Sequence, residues 1–85
     1  MSIGQYAIIF WVIIVNRLQK LRKEKGYTQI KIQMLTGIDQ SDYSKIEQGK
    51  RWMTFEQCKS LAVALDTSMD YLAELTDEQK PYPRK

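Results

Sequence analysis

The sequence has no histidine and a single cysteine, Cys58. An internal disulfide is therefore excluded, and so is a zinc site built from Cys and His; no metal is expected. A reducing, cytoplasmic setting follows as the expectation. Also missing are a Gly-rich phosphate loop, a Ser/His/Asp set and a nucleophile elbow. The acids are scattered, and most lie at helical spacing from lysine or arginine, as on a solvated face. Neither an enzyme activity nor a cofactor is expected. Acidic charge is in slight deficit, 10 Asp and Glu against 13 Lys and Arg, for a net charge of +3. So mild an excess says little by itself about a polyanionic partner. At 85 residues there is room for one domain, burying roughly 60–65% of its unfolded surface, a small core that needs no staple.

Long apolar runs are absent, with one exception. Within the first fifteen residues, "MSIGQYAIIFWVIIV", the run from Ala7 to Val15 is unbroken. It is shorter than the ~20 residues of a membrane-spanning helix, and it lacks a signal peptide's basic leader and cleavage site. No membrane partner is expected. Its Ile and Val content favours a short strand. Ala7, Phe10 or Trp11, Ile14, Leu18 and Leu21 fall at steps of three and four, which equally allows a helical extension; an irregular packed arm is the third option. So much aliphatic surface needs cover, and the same segment of a second subunit is the natural one. Alternatively the run is accidental, the product of a start site read too far upstream.

From residue 16 the chain turns regular, and residues 16–75 read as one helical domain. Asn16 is a good N-cap. "NRLQKLRKEKG" places Leu18 and Leu21 inward and its basic residues outward, with Gly26 at the C′ position. Thr28 caps a second helix whose inward pair is Ile32 and Leu35, stopped by Gly37. A third helix runs from about Gln40 to Gln48 with Tyr43 and Ile46 inward, and Gly49 closes it. Thr54 and Gln57 form a capping box for a fourth helix with a stripe of Phe55, Cys58, Leu61, Ala62 and Leu65. Cys58 on that stripe is a structural thiol. Ser68 caps a fifth helix carrying Met69, Leu72 and Leu75. Residues 76–85 form a polar, proline-bearing tail expected to fray.

Two helices joined by a short glycine-containing turn define a helix-turn-helix. With Tyr43 and Ile46 inward, Gln40, Ser41, Ser44 and Lys45 project outward. Their amide, hydroxyl and ammonium tips suit base edges in the major groove. A solvated amphipathic helix carries polar outward residues too, so periodicity alone leaves both readings open.

The stretch "TQIKIQMLTGIDQSDYSKIEQGKR", with "KGYTQ" before it and "LAVAL" and "SMDYL" after it, resembles the phage-repressor/Cro (XRE-type) family of helix-turn-helix regulators. The likeness runs from about Arg17 to Leu75. It implies an all-α, five-helix, lambda-repressor-like domain that binds double-stranded DNA, most simply as a homodimeric repressor. The rival is an antitoxin-like or adaptor module in which the apolar arm grips another protein, a toxin or co-regulator. By resemblance, Gln29 holds a phosphate at the start of the second helix. Gln40, Ser41 and Lys45 read bases with Ser44 beside them, and Lys50 and Arg51 touch the DNA backbone. Arg22 and Glu47 stand where the family has a partly buried ion pair linking the first helix to the third.

The chain also departs from the family pattern. Gln33 replaces a usual alanine and should tilt the helix crossing or reach toward DNA. Asp42 puts a negative charge beside the reading face, where it would accept from a cytosine, repel phosphates or cap the helix. Asp66 replaces a glycine, and Trp52 is expected in the core, with the DNA backbone or a second subunit as its alternative neighbours.

Overall fold

The computed structural model describes residues 17–83. The apolar arm and the Asn16 cap lie outside the described residues. Those described form an all-α domain of five helices without a strand. The helices are α1 (17–24), α2 (Gln29–Thr36), α3 (Gln40–Glu47), α4 (Phe55–Ala64) and α5 (Met69–Leu72).

Local chemistry sets the helix ends. Thr28 accepts from the Lys31 amide, Thr54 and Gln57 close a reciprocal capping box, and Ser68 accepts from the Tyr71 amide. Each cap satisfies backbone donors that a helix start leaves unpaired. At the other ends the chain reverses through left-handed residues, Gly26 at φ 70°, Gly37 at φ 77° and Gly49 at φ 76°. Asp66 takes the same conformation at φ 53°; the amides of Asp66 and Thr67 then bond back to Val63 and Ala62. An aspartate tolerates this region better than most side chains, so the helix still ends where the family's glycine would end it.

The core gathers Leu18, Leu21, Ile32, Ile38, Tyr43, Ile46, Cys58, Leu61, Ala62, Leu65, Tyr71 and Leu72. Full burial of one such aliphatic side chain contributes about 1.5–3 kcal/mol. Burial pushes the Cys58 thiol pKa up, the opposite of what a reactive thiolate needs.

Four expected core positions fail. Leu35 is 46% exposed, Trp52 53%, Phe55 70% and Leu75 76%. Phe55 is the first residue of α4, and Trp52 lies in the loop before it. Leu75 was expected one turn beyond Leu72. However, α5 ends at Leu72 and the chain turns left-handed at Glu74 (φ 67°), so the helical register does not reach Leu75. Leu35 lines the open cleft between α2 and α4, beside Tyr27 and Val63.

Arg17 and the tail also depart from expectation. The Arg17 guanidinium turns inward, donating to the carbonyls of Tyr71 (2.7 Å) and Thr76 (2.9 Å). It pairs with Glu74 and Asp77 and stacks 4.2 Å over the Tyr71 ring. The tail is docked through residue 83 instead of frayed. The Thr67 hydroxyl donates to the Gln79 carbonyl at 2.6 Å, and the Tyr82 hydroxyl donates to Asp70 at 2.7 Å.

Tyr43 is fully buried, and its hydroxyl has no hydrogen bond of ordinary geometry. Burial first, then the nearby Glu47 carboxylate, holds the phenol pKa well above its usual value. Removing an unsatisfied buried hydroxyl costs little. Tyr43→Phe is therefore expected to unfold in urea within ~1 kcal/mol of the parent, or above it. A loss beyond ~2 kcal/mol would show instead that the hydroxyl donates to Glu47.

Candidate nucleic-acid interface

The link between α2 and α3 is built to hold a tight reversal. The Thr36 hydroxyl donates to the Ile32 carbonyl at 2.7 Å and accepts from the Ile38 amide at 3.1 Å. Ile38 drops into the core and Asp39 caps α3, accepting from the Ser41 amide at 3.1 Å. The Asp39 carboxyl also accepts from the Ser41 hydroxyl. Those two bonds, the side-chain one first, lower its pKa. Gln33 adds a second cap, its Oε1 accepting from the Gln40 amide at 2.7 Å. The exposed Gln33 side chain is thus occupied in starting α3. Asp42 is not the helix cap.

The inner side of α3 is Tyr43, Ile46 and Glu47, all buried. Glu47 is 5% exposed and Arg22 of α1 12%. The Arg22 fork donates to both carboxylate oxygens, Nε to Oε2 at 2.9 Å and NH2 to Oε1 at 2.8 Å. A third Arg22 donor reaches the Tyr27 carbonyl at 2.9 Å. Burial alone would raise the Glu47 pKa. The hydrogen bonds and charge of Arg22, with the nearby Tyr43 hydroxyl and the Gln29 amide, bring it below the ordinary carboxylate value. The same pairing raises Arg22.

A polar chain runs outward from this pair. Gln29 Nε2 approaches Glu47 Oε1 at 3.5 Å, and Gln40 Nε2 donates to Gln29 Oε1 at 3.0 Å. The buried ion pair therefore orients two amides at the edge of the outer face. Each keeps capacity to spare, since Gln40 retains its carbonyl oxygen and one N–H.

On that outer face Ser41 and Lys45 are exposed, and Gln40 and Ser44 are half-buried. The Ser44 hydroxyl accepts from Gln48 Nε2 at 2.9 Å, which leaves its own O–H free to donate. Beyond Gly49 the chain brings out exposed Lys50 and half-buried Arg51. Among the described residues, Lys45 and Lys50 form no ion pair, whereas Arg51 NH1 pairs with Asp42 at 2.9 Å.

A helix-turn-helix family model matches residues 18–72. The chain is also 35% identical over 66 residues to an uncharacterized HTH-type transcriptional regulator, y4dJ, of Sinorhizobium fredii (strain NBRC 101917 / NGR234). That alignment takes in 78% of this chain and 86% of the relative. The chain belongs to the XRE-type helix-turn-helix family of DNA-binding transcriptional regulators. No solved structure matches it.

Within this helix-turn-helix domain, the structure brings Gln29, Gln40, Ser41, Ser44 and Lys45 to one side of the α2–α3 unit. Lys50 and Arg51 follow in the next loop. Arg22 and Glu47 lie beneath, joined in one bidentate pair. Sequence reasoning missed Asp39 as the α3 cap, although an Asp directly before a helix is a cap signal. It also missed the tie from Arg51 to Asp42. Among the described residues, no helix is long and apolar enough to cross a membrane.

Proposed function

We propose that the protein is a sequence-specific repressor that binds double-stranded DNA in the cytoplasm as a homodimer, with α3 in the major groove. The observation that carries this reading is the two-sidedness of α3. Tyr43, Ile46 and Glu47 anchor its inner side, and the opposite side offers short donors and acceptors with unused hydrogen-bonding capacity. Gln40, Ser41 and Lys45 contact bases with Ser44 beside them. Gln29 and the start of α2 hold a phosphate, and Lys50 and Arg51 meet the backbone.

Dimerisation follows from arithmetic. One short helix reads only a few base pairs, and a pair reads two half-sites about 34 Å apart. Two features support self-association. One is the apolar segment Ala7–Val15. The other is an apolar groove lined by Phe55, Met69, Leu72, Ala73 and Leu75, where Phe55 and Leu75 are largely exposed. The same groove favours the second reading, an antitoxin-like or adaptor role in which another protein seats there.

Selection from a random duplex library tests both. The expected result is an enriched inverted repeat with half-sites one helical turn apart, and single half-sites when residues 1–14 are deleted. Failure to enrich any sequence, together with a tightly co-purifying protein, would favour the second reading. Paired half-sites from the shortened chain would take the arm out of the dimer.

A further inference from the structure

Asp42 of α3 and Arg51 of the loop after it form an ion pair, and their geometry has a functional consequence that rests on the reading of α3 above. Asp42 lies in the first turn of α3, with Oδ1 2.9 Å from Arg51 NH1. The other guanidinium nitrogen, NH2, lies 3.4 Å from Gln57 Oε1, which also closes the α4 capping box by accepting from the Thr54 amide at 2.9 Å. Arg51 is therefore held between the reading helix and the start of α4. The two side chains remain 41% and 36% exposed, so neither is sealed from an incoming duplex. Of the three cations named on this face, Lys45 and Lys50 form no ion pair among the described residues.

We propose that Asp42 is a specificity-determining residue: it withholds Arg51 from phosphate until a base-edge donor replaces Arg51 as its partner. A phosphate contacted anywhere on DNA must compete with the Asp42 carboxylate for Arg51, and losing that partner leaves the carboxylate unpaired beside a polyanion. In a loosely held, non-specific complex the exchange is unfavourable, and Arg51 stays home. When α3 is seated on its proper sequence, an amino group on a base edge, such as cytosine N4, donates to Asp42. Arg51 is then released to the backbone. The exchange ties one phosphate contact to one base contact, which phosphate contacts alone cannot do.

The test uses the full chain, the Asp42→Asn and Arg51→Ala variants and the double variant. Each is titrated with the library-selected duplex and with a scrambled duplex between 50 and 200 mM salt. One phosphate contact changes the log–log salt slope by about 0.9, roughly threefold in affinity across that range. Arg51→Ala is expected to flatten the slope by about 0.9 on the selected duplex only. Asp42→Asn should steepen it by about the same amount on the scrambled duplex, and the double variant should lose that gain. Thermal melting of each variant checks that the fold is retained.

Equal flattening of both duplexes by Arg51→Ala would overturn the proposal. So would a scrambled-duplex gain that survives in the double variant, since the carboxylate would then act without Arg51. If the unmodified chain shows no salt-sensitive binding, or no preference between the duplexes, the DNA reading itself falls and this proposal with it. Normal preference with an additive cycle removes this proposal alone.

Discussion

Arg22→Ala is expected to lower the unfolding free energy by ~3–5 kcal/mol, because it strands the Glu47 carboxylate in a buried site. A domain of this size holds only about 4–13 kcal/mol in total. At about 4–8 °C per kcal/mol, the melting midpoint should fall by tens of degrees. Both partners are nearly enclosed, 12% and 5% exposed, so solvent does not screen the loss. Replacing both residues at once, Arg22→Met with Glu47→Leu, should recover most of the stability, since a buried pair exchanged for apolar groups is often neutral. Gln29 and Gln40 would then lose their orienting partner, and DNA affinity should stay impaired in a protein that folds. Full recovery of binding in the double variant would show that the pair only fills space.

The pair also sets a pH dependence. Glu47 has a lower pKa folded than unfolded, so the unfolded chain takes up its proton first as pH falls. This stabilisation is complete above the ordinary carboxylate range and is lost as pH drops below about 4.3 and through the folded value. Asp39, also lowered, contributes with the same sign. Urea titrations from pH 7 down to pH 3 should show stability declining only at the acid end. Glu47→Gln should start lower at pH 7 and decline less steeply. A parallel decline in the two proteins would remove Glu47 from the acid response.

The second large effect concerns recognition. Gln40→Ala and Lys45→Ala are each expected to weaken binding to the selected duplex by ~1–3 kcal/mol and to relax preference at particular base pairs. Lys50→Ala should weaken selected and scrambled duplexes alike and flatten the salt slope by about 0.9. The contrast follows from position: Gln40 and Lys45 lie on α3, whereas Lys50 lies past the left-handed turn at Gly49. Equal losses on every duplex from all three variants would contradict the division between reading and holding.

Where most helices begin and end, and which residues form the centre of the core, could be read from the chain alone. Thr28, Thr54 and Ser68 as caps, Gly26, Gly37 and Gly49 as terminators, and Leu18, Leu21, Ile32, Tyr43, Ile46, Leu61 and Leu65 as core were all legible. Capping and helical periodicity act over three or four residues, and such short-range relations survive in a one-dimensional string. The outer row of α3 could be read for the same reason, once Tyr43 and Ile46 were set inward. Packing in three dimensions was needed to settle the ends of elements and the pairing of distant residues. Leu35, Phe55 and Leu75 sit at helical spacing for the core, yet among the described residues all three remain exposed. Arg17 reaches across 54 residues to the Tyr71 carbonyl. Gln33 caps a different helix, and Asp42 and Arg51 meet across the end of α3. Coverage and pairing of this kind depend on how the helices cross, which is set by the packing of the whole core and by no single stretch of chain.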